Sequence, residues 1–273
     1  MPEGVEVKIS GELIKPMIIN KIIISAFQSN SGRYANCSIE GHANFINLIK
    51  SSNCSILDIQ TKGKFMYWKF TGDLYMFSTF GMTGQWSQTP GKHPCFGFYF
   101  KDGSEIHFND PRHFGTIKFT NNKNDLIEKL NDLGWDPFTP LTEQWENFII
   151  NKLKKSNKNI AHMLMDQSLF AGVGNYIRAE ALYLAKLSPK RLSSSLTKDE
   201  IILLCSSIIE VMETSYKHQG ATLLTYKDSY GNEGKYSTLF KVYGRKLDDN
   251  GNKIIKETSS EGRTIHWCPA IQI

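Results

Sequence analysis

The chain has 273 residues, of which 40% are hydrophobic and 22% charged, and Lys plus Arg exceed Asp plus Glu by 32 − 27 = +5. That length accommodates two domains, each with its own apolar core, and the composition excludes both a disordered tail and a membrane bundle. The longest apolar runs last only a few residues, too few to span a bilayer, so no membrane association is expected.

The opening MPEGVEVKIS carries acids and a glycine where a secretion signal needs a basic start and an apolar stretch. An intracellular location is expected: nucleus in a eukaryote, cytoplasm or nucleoid in a bacterium, a host compartment for a virus. The net charge has the sign that suits a polyanion, a property shared with many unrelated enzymes. Cys37, Cys54, Cys95, Cys205 and Cys268 are odd in number and scattered, with no CxxC pair to supply half of a zinc site.

In chain order, residues 5–20 read as a first helix. The period then changes. Segments at 22–27, 55–59, 64–70, 74–80, 95–100 and 116–119 are rich in β-branched and aromatic residues and separated by Gly, Asp, Asn or Pro, which predicts a β-sandwich or barrel. A helix at 43–51 interrupts it, and no βαβ succession appears. From about Asp125 the spacing is helical, at 126–133, 142–153, 159–165, 176–185 and 197–216, with Thr197 and Glu200 as a capping box. WDPFTPL at 135–141 breaks both periods and marks the boundary. The tail returns to strands: 238–247 and 253–259 flank the turn signal DDNGN, and GRTIHW adds another extended piece.

Chemistry concentrates at the start of the chain. Once Met1 is removed, Pro2 presents a secondary amine able to attack an aldehydic carbon and form an iminium ion, an electron sink that weakens neighbouring C–H and C–O bonds. Glu3 lies next to that amine, and Glu6 is within reach through the first helical turn, so one carboxyl can act as an acid while the other orients or relays protons. The same residues also suit an ordinary helix start. In AGVGN at 171–175, the glycines allow close approach of backbone amides to a phosphate, and Asn175 opens a helix whose unpaired N–H groups favour an anion. Asp166 reads as a capping residue, and the seven His are dispersed, forming neither a metal cluster nor a hydrolytic triad.

Taken together, the motifs closely resemble the formamidopyrimidine-DNA glycosylase and endonuclease VIII family along almost the whole chain. PEGVE at 2–6 matches the family's PEGPE start, with Val5 in place of proline. KGKF at 62–65 matches the segment with its phosphate-binding lysine, which falls on Lys64. FGMTGQW at 80–86 and NDPRHFG at 109–115 match its DNA-probing loops, and 165–189 its helix–two-turn–helix (H2TH) motif.

The resemblance implies a multidomain α+β protein. Residues 1–130 would form an N-terminal catalytic β-sandwich with flanking helices, 131–146 a linker region, 147–234 a helical H2TH DNA-binding domain and 235–273 a finger. It implies base excision repair of damaged DNA containing oxidised bases or abasic sites, by a bifunctional glycosylase and lyase acting through a Pro2 iminium and β,δ-elimination. A basic cleft would bend the duplex and extrude the damaged nucleotide. Pro2 would attack C1′, Glu3 would transfer protons, Glu6 would support that network, and Lys64 would hold a phosphate beside the reacting sugar. Met82, Arg112 and Phe114 would fill the void in the duplex, and Asn175 and Arg263 would bind phosphates. The chemistry needs no metal or redox cofactor, and nothing in it needs a second copy, so a monomer is expected.

Three departures stand out. The bacterial finger usually ends GRTxxxCPxCQ, whereas this chain reads GRTIHWCPAIQ at 262–272, with Cys268 at the third ligand position and Ile271 at the fourth. With the first cysteine pair also absent, one thiolate cannot build a tetrahedral zinc site, and a zincless finger is expected, with Cys268 a buried remnant. Ala161 and His162 stand where a basic residue often precedes LMDQ. The stretch 220–244 resembles the lesion-covering loop of the bacterial enzyme, while FAGVGNYIRAE and the tail lean toward the Nei-like side. Two other readings compete. A catalytically inactive damaged-DNA-binding protein would follow if Met1 were retained, and a metal-dependent nuclease would require an acidic cluster that is not evident.

Overall fold

A computed structural model describes residues 2–30, 39–221, 229, 232–259 and 262–273. Cys37 and most of the segment 222–231 lie outside the described residues. The chain divides into two compact units, one comprising Met1–Asp132 with Ala221–Gly234, the other Leu133–Gly220 with Lys235–Ile273.

The first unit opens with α1 (Gly4–Ile18). Its apolar positions Val7, Ile14 and Ile18 face the core, and Pro16, which has no N–H to give to the preceding turn, stands near its end. Next come β1 (Ile23–Gln28), α2 (His42–Ser51), β2 (Ile56–Lys62), β3 (Phe65–Phe70), β4 (Tyr75–Thr79) and β5 (Gln85–Ser87). They are followed by β6 (Pro94–Phe100), β7 (Glu105–Asn109), β8 (Thr116–Thr120) and α3 (Lys123–Asn131). The strands form two four-stranded sheets, β1-β6-β7-β5 and β2-β3-β4-β8, with antiparallel pairing within each.

Alternation along the strands sends Trp68, Phe70, Trp86, Phe98, Phe108 and Phe119 into one core. Phe45 of α2 stacks on Phe119 at 4.4 Å, and Trp68 lies 4.7 Å from Trp86. Such a large aromatic area buried between two sheets provides the main stabilisation of this unit. The sandwich agrees with the sequence, which did not indicate β5 or β7.

The second unit contains α4 (Glu143–Lys154), α5 (Ile160–Met163), α6 (Asn175–Leu184) and α7 (Lys198–Lys217), then β9 (Ile255–Thr258) paired antiparallel with β10 (Thr264–Trp267). The capping box at Thr197 and Glu200 is formed, and Arg191 clasps Glu200 at 2.5 and 3.0 Å. These bonds hold the Glu200 carboxyl down at about 2, with the Arg191 contact the largest cause. Asp166 accepts the amide and hydroxyl of Ser168 at 2.9 and 2.7 Å, a turn-capping role.

One expectation fails in the tail. Residues 238–247 are not a strand: Tyr236–Leu239 is a short 3-10 turn, and only Leu247 bridges Lys253. The reason is Glu180, buried on α6, whose carboxylate accepts the N–H groups of Lys241, Val242 and Tyr243 at 2.8 to 3.0 Å. Those donors are thereby taken from any partner strand. The tail hairpin is β9–β10, and DDNGN forms a turn in which Asp248 accepts from Asn250 and Asn252 at 2.9 and 2.8 Å.

Candidate active site and nucleic-acid interface

Pro2 and the two glutamates meet at the start of α1. Glu3 is the N-cap residue, and its side chain accepts from the backbone N–H of Glu6 in a reciprocal capping box. Glu6 returns the contact, with Oε2 accepting the Glu3 N–H at 2.7 Å, while its Oε1 accepts the N–H of Ala221 at 2.9 Å. Pro2 is buried, and both glutamates are 1% exposed. The helix dipole stabilises both carboxylates at this end. Glu6 is thus committed through both oxygens to backbone donors, and Glu3, next to Pro2 in the chain, caps the helix start.

Lys64 lies in the turn between β2 and β3, after Gly63, whose φ of 54° supplies the left-handed residue that the tight reversal needs. The hairpin packs on α1. Lys15 pairs with Asp58 at 2.5 Å, and a Cβ on Gly11 would stand 3.1 Å from Thr61. Moving from Asp58 to Thr61 along β2 therefore moves from Lys15 to Gly11 along α1. Lys64 itself is half-buried in that turn.

Met82 is 40% exposed and Phe114 52%, so neither belongs to the core, and Arg112 is exposed with its guanidinium 5.0 Å from the Phe114 ring. Their two turns touch. A Cβ on Gly81 would fall 2.6 Å from the Phe114 carbonyl carbon and 2.7 Å from the Gly115 nitrogen, which only glycine permits. These three side chains therefore stand on adjacent loops of the sandwich. Asp110, which sequence reasoning passed over although it lies inside NDPRHFG, is 1% exposed and bonded to both turns.

In the second unit, Asn175 is the first residue of α6, after Gly174. Its Nδ2 donates to the Thr264 carbonyl at 3.0 Å, which ties the helix start to β10. Arg178, 1% exposed, donates to the Asn175 side-chain oxygen, to Thr264 O at 3.1 Å and to Ala161 O at 3.3 Å. Arg263, exposed, directly precedes Thr264; its carbonyl accepts from Ser259 N–H at 2.7 Å across the end of the hairpin. The structure thus brings Asn175 and Arg263 together. Sequence reasoning did not single out Arg178, whose contacts span 86 and 17 positions.

Cys268 is buried, with Sγ 3.8 Å from Asp248 Oδ2, and its N–H donates to Gln272 Oε1 at 2.7 Å. Gln272 donates in turn to Leu187 O at 2.9 Å, and the hydroxyl of Tyr183 to Asp248 at 3.1 Å. Among the described residues, no group of three or more His, Cys, Asp or Glu is arranged to hold a metal ion, and no helix is long and apolar enough to cross a membrane.

Comparison with known proteins agrees with this geometry. Residues 1–117 match the formamidopyrimidine-DNA glycosylase N-terminal domain, and residues 133–227 match the formamidopyrimidine-DNA glycosylase H2TH domain. The formamidopyrimidine-DNA glycosylase of Wolbachia sp. subsp. Brugia malayi is 31% identical over the full length of both chains, and that of Cytobacillus firmus 32% identical over 81% of this chain and 82% of its own.

Among solved structures, the MutM (Fpg) protein of Thermus thermophilus superposes with a TM-score of 0.84 at 28% identity, covering 99% of this chain and 98% of its own. A Lactococcus lactis Fpg in complex with abasic-site DNA gives 0.83 at 28% identity, covering 99% of each. The chain belongs to the formamidopyrimidine-DNA glycosylase and endonuclease VIII family of DNA-repair enzymes.

Proposed function

We propose that this protein is a bifunctional glycosylase and abasic-site lyase that removes oxidised bases from DNA through an iminium at Pro2. The observation that carries the reading is the arrangement at the start of α1: Pro2 stands directly before Glu3, whose side chain caps the helix start, while Glu6 holds the Glu3 backbone through a 2.7 Å bond and gives its other oxygen to Ala221. The names of the relatives, and the damaged DNA in the structures of neighbours, favour the same substrate class.

The chemistry follows from these groups. With Met1 removed, the Pro2 nitrogen forms a bond to C1′ of the damaged nucleotide as the bond from C1′ to the base breaks. The amine gives up its proton and the departing base takes one up. Glu3 protonates the ring oxygen, the C1′–O4′ bond opens, and the nitrogen lone pair completes the iminium. Loss of a C2′ proton sends its electron pair toward C3′ and expels the 3′ phosphate. A second elimination expels the 5′ phosphate, and water then releases Pro2. Lys64, in the turn between β2 and β3, holds a phosphate of the reacting nucleotide and steadies C1′ for attack.

Residues 1–130, with which 221–234 cluster, then act as the catalytic domain and the rest of 147–234 as the H2TH domain, joined through 131–146, while 235–273 serves as a zincless finger. Met82, Arg112 and Phe114 fill the space left by the extruded nucleotide. Asn175 and Arg263, linked through Thr264, grip the backbone. One copy of the chain carries every group, so the working species is a monomer on damaged DNA.

The test is the product on a duplex with one oxidised base: a one-nucleotide gap with phosphate at both ends. Glu3→Gln should abolish base release yet still be trapped on DNA that is already abasic. An intact strand with wild-type protein, or gap formation that needs an added divalent metal, would refute the reading.

A further inference from the structure

Two turns of the first unit, 80–84 and 110–115, carry the exposed side chains Met82, Arg112 and Phe114, and one buried carboxylate joins them. Asp110 Oδ1 accepts the Thr83 hydroxyl at 2.5 Å and the Arg112 N–H at 3.3 Å, and Oδ2 accepts the Gly115 N–H at 2.6 Å. The Thr83 hydroxyl oxygen also faces the Arg112 N–H at 3.3 Å. The backbone of Asp110 contributes as well, its carbonyl accepting from His113 N–H at 3.1 Å and from the Cys95 thiol at 3.6 Å.

His113 is held at φ 55°, a left-handed conformation that is costly for a residue with a Cβ. Its Nδ1 rests 3.5 Å from Cys95 Sγ, so the strained residue lies against the sandwich while its neighbours Arg112 and Phe114 remain exposed. Gly81 presses on the Phe114 carbonyl with no room for a Cβ. Neither turn can therefore move alone without breaking bonds to Asp110 or opening that contact.

We propose that Asp110 is a positioning residue that locks both turns into one preformed wedge, so that Met82 and the Arg112–Phe114 pair enter the duplex together rather than in sequence. The proposal rests on the void-filling role given above to those three side chains. A buried carboxylate is costly unless its acceptors are met, and this one meets them with donors of the two turns. A preformed wedge avoids the loss of loop freedom at the moment of insertion, which favours extrusion of an intact damaged base. Processing of DNA that has already lost its base depends far less on it.

The experiment uses the full chain and a duplex carrying one oxidised base that the wild type excises, with 2-aminopurine as its neighbour to report unstacking. Asp110→Asn keeps the shape but turns an amide NH₂ toward an existing donor. It should slow single-turnover excision and the fluorescence rise by about tenfold or more, while borohydride trapping on abasic DNA falls by less than about threefold.

Thr83→Val removes only the hydroxyl link and should show the same split, and Thr83→Ser should restore both rates. The Thr83 pair also decides the matter if Asp110→Asn does not fold. Wild-type excision and fluorescence in Thr83→Val, or a parallel fall in excision and trapping, would overturn the proposal. A wild-type protein that neither excises nor is trapped would instead bring down the underlying reading of function.

Discussion

Glu6 Oε1 accepts the backbone N–H of Ala221 at 2.9 Å, a bond between residues 215 positions apart. With its other oxygen on the Glu3 N–H, one carboxylate fixes both the start of α1 and the point where the chain re-enters the first unit. Glu6→Gln replaces one acceptor by a donor facing an N–H, and should cost about 1–3 kcal/mol of stability by leaving a buried donor unsatisfied. Turnover should fall but persist, since Glu3, the acid of the proposed mechanism, is unchanged. Urea unfolding and excision assays on the same preparation check both; complete loss of activity in a protein of unchanged stability would assign Glu6 a direct chemical role.

Met82→Ala removes an exposed, flexible apolar side chain, so stability should change by no more than about 0.5 kcal/mol. Excision of an oxidised base should slow by about tenfold, because a void left by the extruded nucleotide would go unfilled. Trapping on abasic DNA should continue. Single-turnover rates on the two substrates distinguish this outcome from a general loss of DNA binding, in which both would fall together.

Much of this architecture is legible in the sequence, and the exceptions have physical causes. The capping box at Thr197 and Glu200 is local, so four residues suffice to read it. The strand β7 escapes because EIHFN offers only two apolar residues, Ile106 and Phe108, alternating with the polar Glu105, His107 and Asn109 over five positions, too short a run to stand out although His107 is itself 2% exposed. QWS is too short for any period to show. The false strand over 238–247 fails through Glu180, whose carboxylate comes from 61 to 63 positions away.

The residues of the proposed site follow a similar division. Pro2, Glu3 and Glu6 are readable because they are neighbours, and Lys64, Met82 and Asn175 because short motifs surround them. Asp110 and Arg178 went unnoticed, since their importance depends on partners such as Thr83, 27 positions away, and Thr264, 86 away.

Asp248, Gln272 and Cys268 tie the C-terminal hairpin region together through hydrogen bonds, and the proposed finger has a single cysteine, Cys268. Prolonged dialysis against a strong chelator should leave the melting temperature and excision rate unchanged, and Arg263→Ala should reduce excision by about tenfold with the cooperative melt intact. Elemental analysis showing one zinc per chain, lost together with activity, would contradict this account of the finger.

Glu200 provides a pH signature. Its carboxyl lies at about 2 in the folded protein, below the ordinary carboxylate value of 4.5, chiefly through Arg191 and then the Thr197 N–H. The folded state therefore binds fewer protons than the unfolded state between those values. Its contribution is fully present above about pH 4.5 and is lost as pH falls toward 2. Glu200→Gln should destabilise the protein by about 1 kcal/mol at neutral pH, a modest figure because the pair is partly solvated. The gap between variant and wild type should close below about pH 3 in melts recorded across that range; a constant gap would exclude the ion pair as its source.

The central claim is the nucleophile, and borohydride reduction during reaction with abasic DNA tests it most directly. Reduction should yield a covalent protein–DNA adduct whose peptide map places the bond on the nitrogen of Pro2, with Met1 removed. A correctly processed, folded protein that gives no adduct, or an adduct on a lysine such as Lys64 in place of Pro2, would contradict the mechanism.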